Sequence, residues 1–191
     1  MLIRVGSRGS RLALTQADLA ASQLRAPGIE LALVPITTAG DRDRSRPFGE
    51  IGARGVFVKE LEEALLDRRI DVAVHSAKDM TSTDTDGLVV GAYLEREDPR
   101  DALCGAPEVR SGMRIGTASI RRRAQLLALD PSLSIEPLRG NIDTRLRKRG
   151  ERGLDAIVLA ACGLDRLGLA REIGKRFEPE ELVPELSLIH I

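Results

Sequence analysis

Ile3-Arg4-Val5-Gly6-Ser7 and Met113-Arg114-Ile115-Gly116-Thr117-Ala118-Ser119 have the same form: an apolar strand, a glycine, a hydroxyl, and then a helix. The first leads through Gly6-Ser7-Arg8-Gly9-Ser10, read as a turn ending in a helix cap, into helical apolar spacing over Leu12 to Leu24. The second leads into a helix from Ile120 to Leu129. Asp155-Ala156-Ile157-Val158 likewise echoes Asp71-Val72-Ala73-Val74. The spacing differs between the halves, so this is a likeness of units and not an exact repeat.

Working outward, Leu31 to Ile36, Asp71 to His75 and Leu88 to Leu94 are predicted strands, and Val56 to Asp67 is a predicted helix with Phe57, Leu61, Ala64 and Leu65 as its apolar stripe. Thr38 to Gly55 is polar, charged and glycine-bearing, and is expected to be a surface loop. In the second half, Ser134 to Leu138 and Asp155 to Ala160 are strands and Asp143 to Arg149 a helix. Strands alternating with helices predict an α/β fold of two similar lobes, each a mostly parallel sheet with flanking helices, and a cleft between them. The expected division is 1–94 for the first lobe and 95–184 for the second, with the boundary in Glu95-Arg96-Glu97-Asp98-Pro99-Arg100.

Composition narrows the function. The 191 residues are 42% hydrophobic and 30% charged, as in folded globular proteins. Aromatics are only 2%, with no Trp, which argues against base-stacking nucleic-acid modules. Two cysteines, Cys104 and Cys162, make neither a disulfide framework nor a zinc site, and with His75 and the tail residue His190 no metal-ligand spacing appears. No apolar run of about 18 residues suggests a membrane span, and no signal-peptide pattern is present, so a cytoplasmic protein is expected. The formal net charge is zero, but it is unevenly spread. Only four of the 29 basic residues are Lys, a ratio that the base composition of the gene explains as readily as function does. From Arg110 to Arg152, eleven basic residues face four acidic ones, a candidate anion-binding surface.

Three strand-to-helix turns carry that chemistry, because free N–H groups at helix starts attract anions. They are Ser7 to Ser10 with Arg8 and Arg11, Thr117 to Arg122 with Arg121, Arg122 and the following Arg123, and Leu138 to Arg145 with Arg139 and Arg145. Together they favour a polyanionic ligand, since guanidinium groups clamp carboxylates with paired hydrogen bonds. Asp79, beside Lys78 at the end of the Asp71 strand, reads two ways: a helix cap or arginine partner, or a carboxylate placed in an arginine-rich site. His75 reads as a core histidine before a ligand. There is no nucleophile triad, P-loop or GxGxxG run.

These residues resemble one family, hydroxymethylbilane synthase, also called porphobilinogen deaminase. The matching stretches are Ser7-Arg8-Gly9-Ser10, Gly55 to Glu62, Asp71 to Asp79 (DVAVHSAKD), Arg96 to Ala102, Gly116 to Arg122, Leu138 to Asn141 with Thr144-Arg145, and Gly163-Leu164 with Arg166-Leu167-Gly168. The resemblance implies a type II periplasmic-binding-protein-like pair of lobes. It also implies a transferase of haem and tetrapyrrole biosynthesis that joins four porphobilinogen units head to tail, releasing ammonia, to form hydroxymethylbilane. It implies Asp79 as catalytic carboxylate and Lys78, Asp79, Ser119, Arg121 and Arg122 as contacts to a dipyrromethane cofactor. Arg8, Ser10, Arg139, Arg145 and Arg166 would hold substrate carboxylates. The family's cofactor hangs from a cysteine in a third, α+β domain that these residues do not match. Residues 185–191 also match nothing in the family, so a truncated chain lacking the returning strands of the first lobe, and inactive by itself, is expected. Neither cysteine occupies the anchoring position, and Glu50 and Arg54 stand where the family's loop carries lysines. The whole protein is expected to act as a monomer on a small molecule, with no metal, nucleic acid or membrane. Two competing readings remain. A two-lobed anion- or solute-binding protein would need an export signal, and a nucleic-acid binder would bind through the Arg110–Arg152 stretch with steep salt dependence.

Overall fold

A computed structural model describes residues 1–42, 57–80 and 85–185, and divides the chain into two compact units, Met1–Glu95 and Arg96–Glu185. The first unit runs β1 (Leu2–Arg8), α1 (Arg11–Gln23), β2 (Glu30–Ile36), α2 (Ala39–Arg42), α3 (Lys59–Leu66) and β3 (Val72–Ala73), then a 3-10 turn at Ala77–Asp79. Its sheet has the order β2-β1-β3, and both pairings are parallel. The second unit runs β4 (Asp101–Cys104), β5 (Arg114–Gly116), α4 (Ile120–Leu129), β6 (Ser134–Glu136), α5 (Ile142–Glu151), β7 (Ala156–Ala160), α6 (Ala161–Arg166) and β8 (Ile173–Arg176). Its sheet has the order β6-β5-β7-β4-β8. Strand β5 pairs in parallel with β6 and β7, whereas β4 is antiparallel to both β7 and β8.

Each sheet is covered on both faces, as parallel strands require. On one face of the first sheet Val5 packs with Ala17 and Ala21 of α1; on the other, Leu61 and Ala64 of α3 pack with Ile70, Val34 and Ile36. In the second unit the alternation along β7 is direct. Ala156 and Val158 join Leu126 of α4, Ile115 and Phe177, while Ile157 and Leu159 join Leu164 of α6 and Leu138. A period of two thus places one residue set under each helical layer.

The likeness of the two halves is realised atom by atom. In the first unit Val5 and Gly6 sit opposite Val72 and Ala73; in the second Ile115 and Gly116 sit opposite Ala156 and Ile157. The aspartate just before the partner strand closes the same clamp in both. The Arg4 backbone N–H donates to Asp71 Oδ2 at 2.7 Å and the Asp71 N–H to the Arg4 carbonyl at 2.9 Å. The Arg114 N–H donates to Asp155 Oδ2 at 2.7 Å and the Asp155 N–H to the Arg114 carbonyl at 3.0 Å. The side chains diverge. Arg4 also grips Asp71 through Nε and Nη2, holding that carboxyl down at about 2, while Arg114 turns to Glu136.

Several expectations change. Gly6, Ser7 and Arg8 belong to β1 and not to a turn, because all three continue the pairing with β2. The helix expected from Val56 begins at Lys59. Leu88 to Leu94 form no strand, and Val89 and Tyr93 are exposed; β3 pairs only with β1 among the described residues, so the segment has no ladder to join. Strands β4 and β8 and helix α6 went unforeseen. Of the expected Thr38–Gly55 loop, Ala39–Arg42 is helical and residues 43–55, with Glu50 and Arg54, lie outside the described residues. No described helix is long and apolar enough to cross a membrane.

The glycine of the repeat predicts a measurable difference. A Cβ on Gly116 would lie 2.8 Å from Leu154, 2.9 Å from Leu138 and 3.0 Å from Ile157, all core side chains. On Gly6 the close contact is the end of one flexible side chain, Ile70 Cδ1. Gly116→Ala should therefore cost about 1–3 kcal/mol of stability, and Gly6→Ala less, as read from urea denaturation midpoints.

Candidate functional site

Apart from Arg166, the last residue of α6, the expected site residues lie at or beyond the ends of parallel strands, the edge at which open α/β sheets bind ligands. In the first unit β1 delivers Arg8 and the cap Ser10, whose Oγ accepts from the Ala13 N–H at 3.3 Å. A capping hydroxyl accepts with its oxygen and keeps its own proton to donate. The segment after β3 delivers His75, Ser76 and the Ala77–Asp79 turn. Arg8 places its Cζ over the Phe57 ring, 3.8 Å from its centroid, a cation–π contact that fixes a long side chain. Ser76 and Gln16 of α1 exchange hydrogen bonds at 3.1 and 3.2 Å, tying this segment to the first helix. Asp79 is half-buried, its N–H donating to the Ser76 carbonyl at 2.9 Å, and Lys78 is exposed.

In the second unit two turns converge. Ser119 caps α4, its Oγ accepting from the Arg122 N–H at 3.4 Å. Asn141 caps α5, and Gly140 before it has φ +127, where only glycine sits without strain. The carbonyls of this second turn are held by basic side chains: Arg145 Nε donates to Gly140 at 2.5 Å and Lys148 Nζ to Arg139 at 3.2 Å.

The charges here are crowded. Burial, and then the like charges of Arg122 and Arg139, push the Arg145 guanidinium down to about 10, still cationic at neutral pH. Arg122 is itself buried, and its Nε has no hydrogen-bond partner among the described residues. Such a cluster is stabilised by an anion. One protein carboxylate already serves it. Asp101, 2% exposed, accepts from Arg121 Nη2 through Oδ2 and from Arg122 Nη2 through Oδ1, both at 2.7 Å. Arg122 Nη1 also donates to the Val158 carbonyl at 3.0 Å.

The structure thus joins Ser119, Arg121, Arg122, Arg139 and Arg145 around one edge of the second sheet. Arg166 is engaged differently: its Nε donates to Glu97 at 2.9 Å. Sequence reasoning missed Asp101 and Phe57 as partners of site residues. A charged residue opening the Asp101-Ala102-Leu103-Cys104 run was the available signal, since a carboxylate there must be paired once buried.

His75 is half-buried, and burial followed by the nearby charge of Arg8 lowers its imidazole to about 4. Because the folded value lies below the ordinary one near 6.5, the fold favours the neutral ring. Its contribution to stability is complete above about pH 6.5 and is lost as pH falls towards 4. An NMR titration should show the His75 imidazole still neutral at pH 5, and His75→Gln should flatten the acid limb of the stability curve. Titration of that ring near 6.5 would contradict this environment.

Residues 3–187 match the family described as porphobilinogen deaminase, dipyromethane cofactor binding domain. The chain is similar to the porphobilinogen deaminases of Syntrophotalea carbinolica (49% identity over 97% of the chain and 61% of the relative), Roseiflexus sp. (48%, 96% and 63%) and Chromobacterium violaceum (46%, 95% and 61%). It therefore spans about three-fifths of the length of these curated relatives. On the family match across nearly its whole length, the chain belongs to the porphobilinogen deaminase family.

Proposed function

We propose that this chain supplies the carboxylate-binding lobes of a cytoplasmic transferase that joins four porphobilinogen units head to tail, with loss of ammonia, to form hydroxymethylbilane. The observation that carries the reading is the crowded guanidinium cluster of Arg122, Arg139 and Arg145 at a sheet edge. Each porphobilinogen brings an acetate and a propionate, so a growing chain accumulates the charge that such a cluster needs. The β2-β1-β3 order of the first sheet recurs as β6-β5-β7 within the five-stranded second sheet, which supports a type II periplasmic-binding-protein-like pair of lobes.

A dipyrromethane fits the same donors, being two pyrroles that each carry two carboxylates. Ser119, Arg121 and Arg122 would hold it, with Lys78 and Asp79 as the further contacts that the family resemblance implies. When bound, it supplies the pyrrole carbon to which the first substrate unit is joined. Neither cysteine of the chain suits its attachment. Cys104 is buried in β4, and burial pushes its thiol up to about 11, so it is not a thiolate at neutral pH. Cys162 is half-buried in α6. The anchoring cysteine therefore belongs to sequence beyond these residues.

Arg8, Ser10, Arg139, Arg145 and Arg166 bind and orient substrate carboxylates. Asp79 accepts pyrrole N–H hydrogen bonds and offsets the positive charge left on the substrate pyrrole as ammonia departs. One well-placed group of this kind contributes on the order of 3 kcal/mol to the transition state. Asp79→Asn in the enzyme that contains this chain should lower porphobilinogen turnover by about 10²–10³-fold while binding persists. Undiminished turnover would remove Asp79 from this role. The 191-residue chain alone should consume no porphobilinogen and stay colourless with Ehrlich's reagent; a coloured product would return Cys162 as an anchor.

A further inference from the structure

Arg121 touches two carboxylates of opposite character. On its inner side Nη2 donates to the buried Asp101 at 2.7 Å; on its outer side Nε donates to Glu185 Oε2 at 2.9 Å. Asp101 is 2% exposed and Glu185 about half exposed. The Glu185 segment is placed by α4: Gln125 Nε2 donates to the Val183 carbonyl at 3.2 Å, and the Val183 N–H donates to Gln125 Oε1 at 2.6 Å. Arg121 Nη1 also donates to the Val183 carbonyl. The outer edge of Arg121 is thereby seen to accept a carboxylate while the inner edge stays on Asp101.

The two contacts differ in permanence. Asp101 is shared with Arg122, which is also buried and also held by the Val158 carbonyl, so it cannot leave without stranding a buried charge. Glu185 is exposed, and an exposed ion pair is weak and easily exchanged. A free arginine would lose several rotatable bonds on binding a ligand; one already fixed on its inner side loses less.

We infer that Asp101 is a positioning residue: it holds Arg121 and Arg122 so that the outer edge of Arg121 receives a ligand carboxylate, in the place Glu185 occupies here. This deepens the proposed function and rests on it for the identity of the ligand. Removing Glu185 should open the place, and removing Asp101 should spoil it without changing which groups are present at its outer edge.

The test uses tricarballylate, a polycarboxylate with no pyrrole, titrated calorimetrically into the full chain. Glu185→Gln should bind it severalfold tighter than the parent. Adding Asp101→Asn to that variant should weaken binding about tenfold. Because Arg122 would then be a buried, unpaired charge and the protein could unfold, a second comparison sets Glu185→Gln/Arg122→Met against the same protein with Asp101→Asn. No buried charge is stranded there; circular dichroism should be unchanged, and the loss should again be about tenfold. Equal affinity with and without Asp101 in that pair overturns the proposal, as does failure of Glu185→Gln to bind tricarballylate. Porphobilinogen in the same titrations separates the two readings. Asp101-dependent tricarballylate binding without porphobilinogen binding keeps the positioning role and removes the proposed function.

Discussion

The clamp between an aspartate side chain and the backbone of the neighbouring strand's arginine is the constraint on which both units depend. A parallel pair has no hairpin to fix its register, so something else must. Here Asp71 and Asp155 each take an N–H from the adjacent strand, at Arg4 and Arg114, and return their own N–H to the same residue's carbonyl. With register set, Gly6 and Gly116 fall where Ile70 and Leu154 cross the sheet, and the strand ends fall on one edge. The strand end that carries Arg8 and the turns that carry Ser119 and Arg139 are delivered there as a consequence.

Holding cations at such an edge is costly, and the second unit shows how the cost is met. Arg122 is buried against a carboxylate and a backbone carbonyl, and Arg121 shares the same carboxylate. Arg145 and Lys148 spend donors on carbonyls of their own turn. Burial first, and then the like charges of Arg122 and Arg139, still lower the Arg145 guanidinium. A cluster built this way is ordered by contacts within the protein itself.

The core of each unit is aliphatic, Phe177 apart, and alternates by side chain, which is why the strands and helices of the repeated α/β pattern could be read directly. Helix α4 spans the residues expected, Ile120–Leu129, because Ser119 caps it and an apolar stripe follows. Strand β4 could not be read so. Asp101-Ala102-Leu103-Cys104 has no β-branched residue, and all four are buried only because β7 and β8 flank them. The converse holds for Leu88 to Leu94, whose composition is strand-like but which has no neighbour to pair with among the described residues.

The sequence by itself determined the α/β class, the likeness of the two halves, the capping Ser10 and the arginine-bearing turns of the second half, because periodicity, capping chemistry and side-chain type are local properties. The resemblance to porphobilinogen deaminase was carried by ordered motifs and was likewise open to reading. Only the tertiary structure decided that Arg121 and Arg122 share one buried carboxylate, that Arg8 rests on Phe57, and that Arg122 and Arg139 press on Arg145. Apart from Arg139 and Arg145, six positions apart, those residues lie 20 to about 50 positions apart, and the energy of a charge depends on what surrounds it in space, which no local pattern specifies.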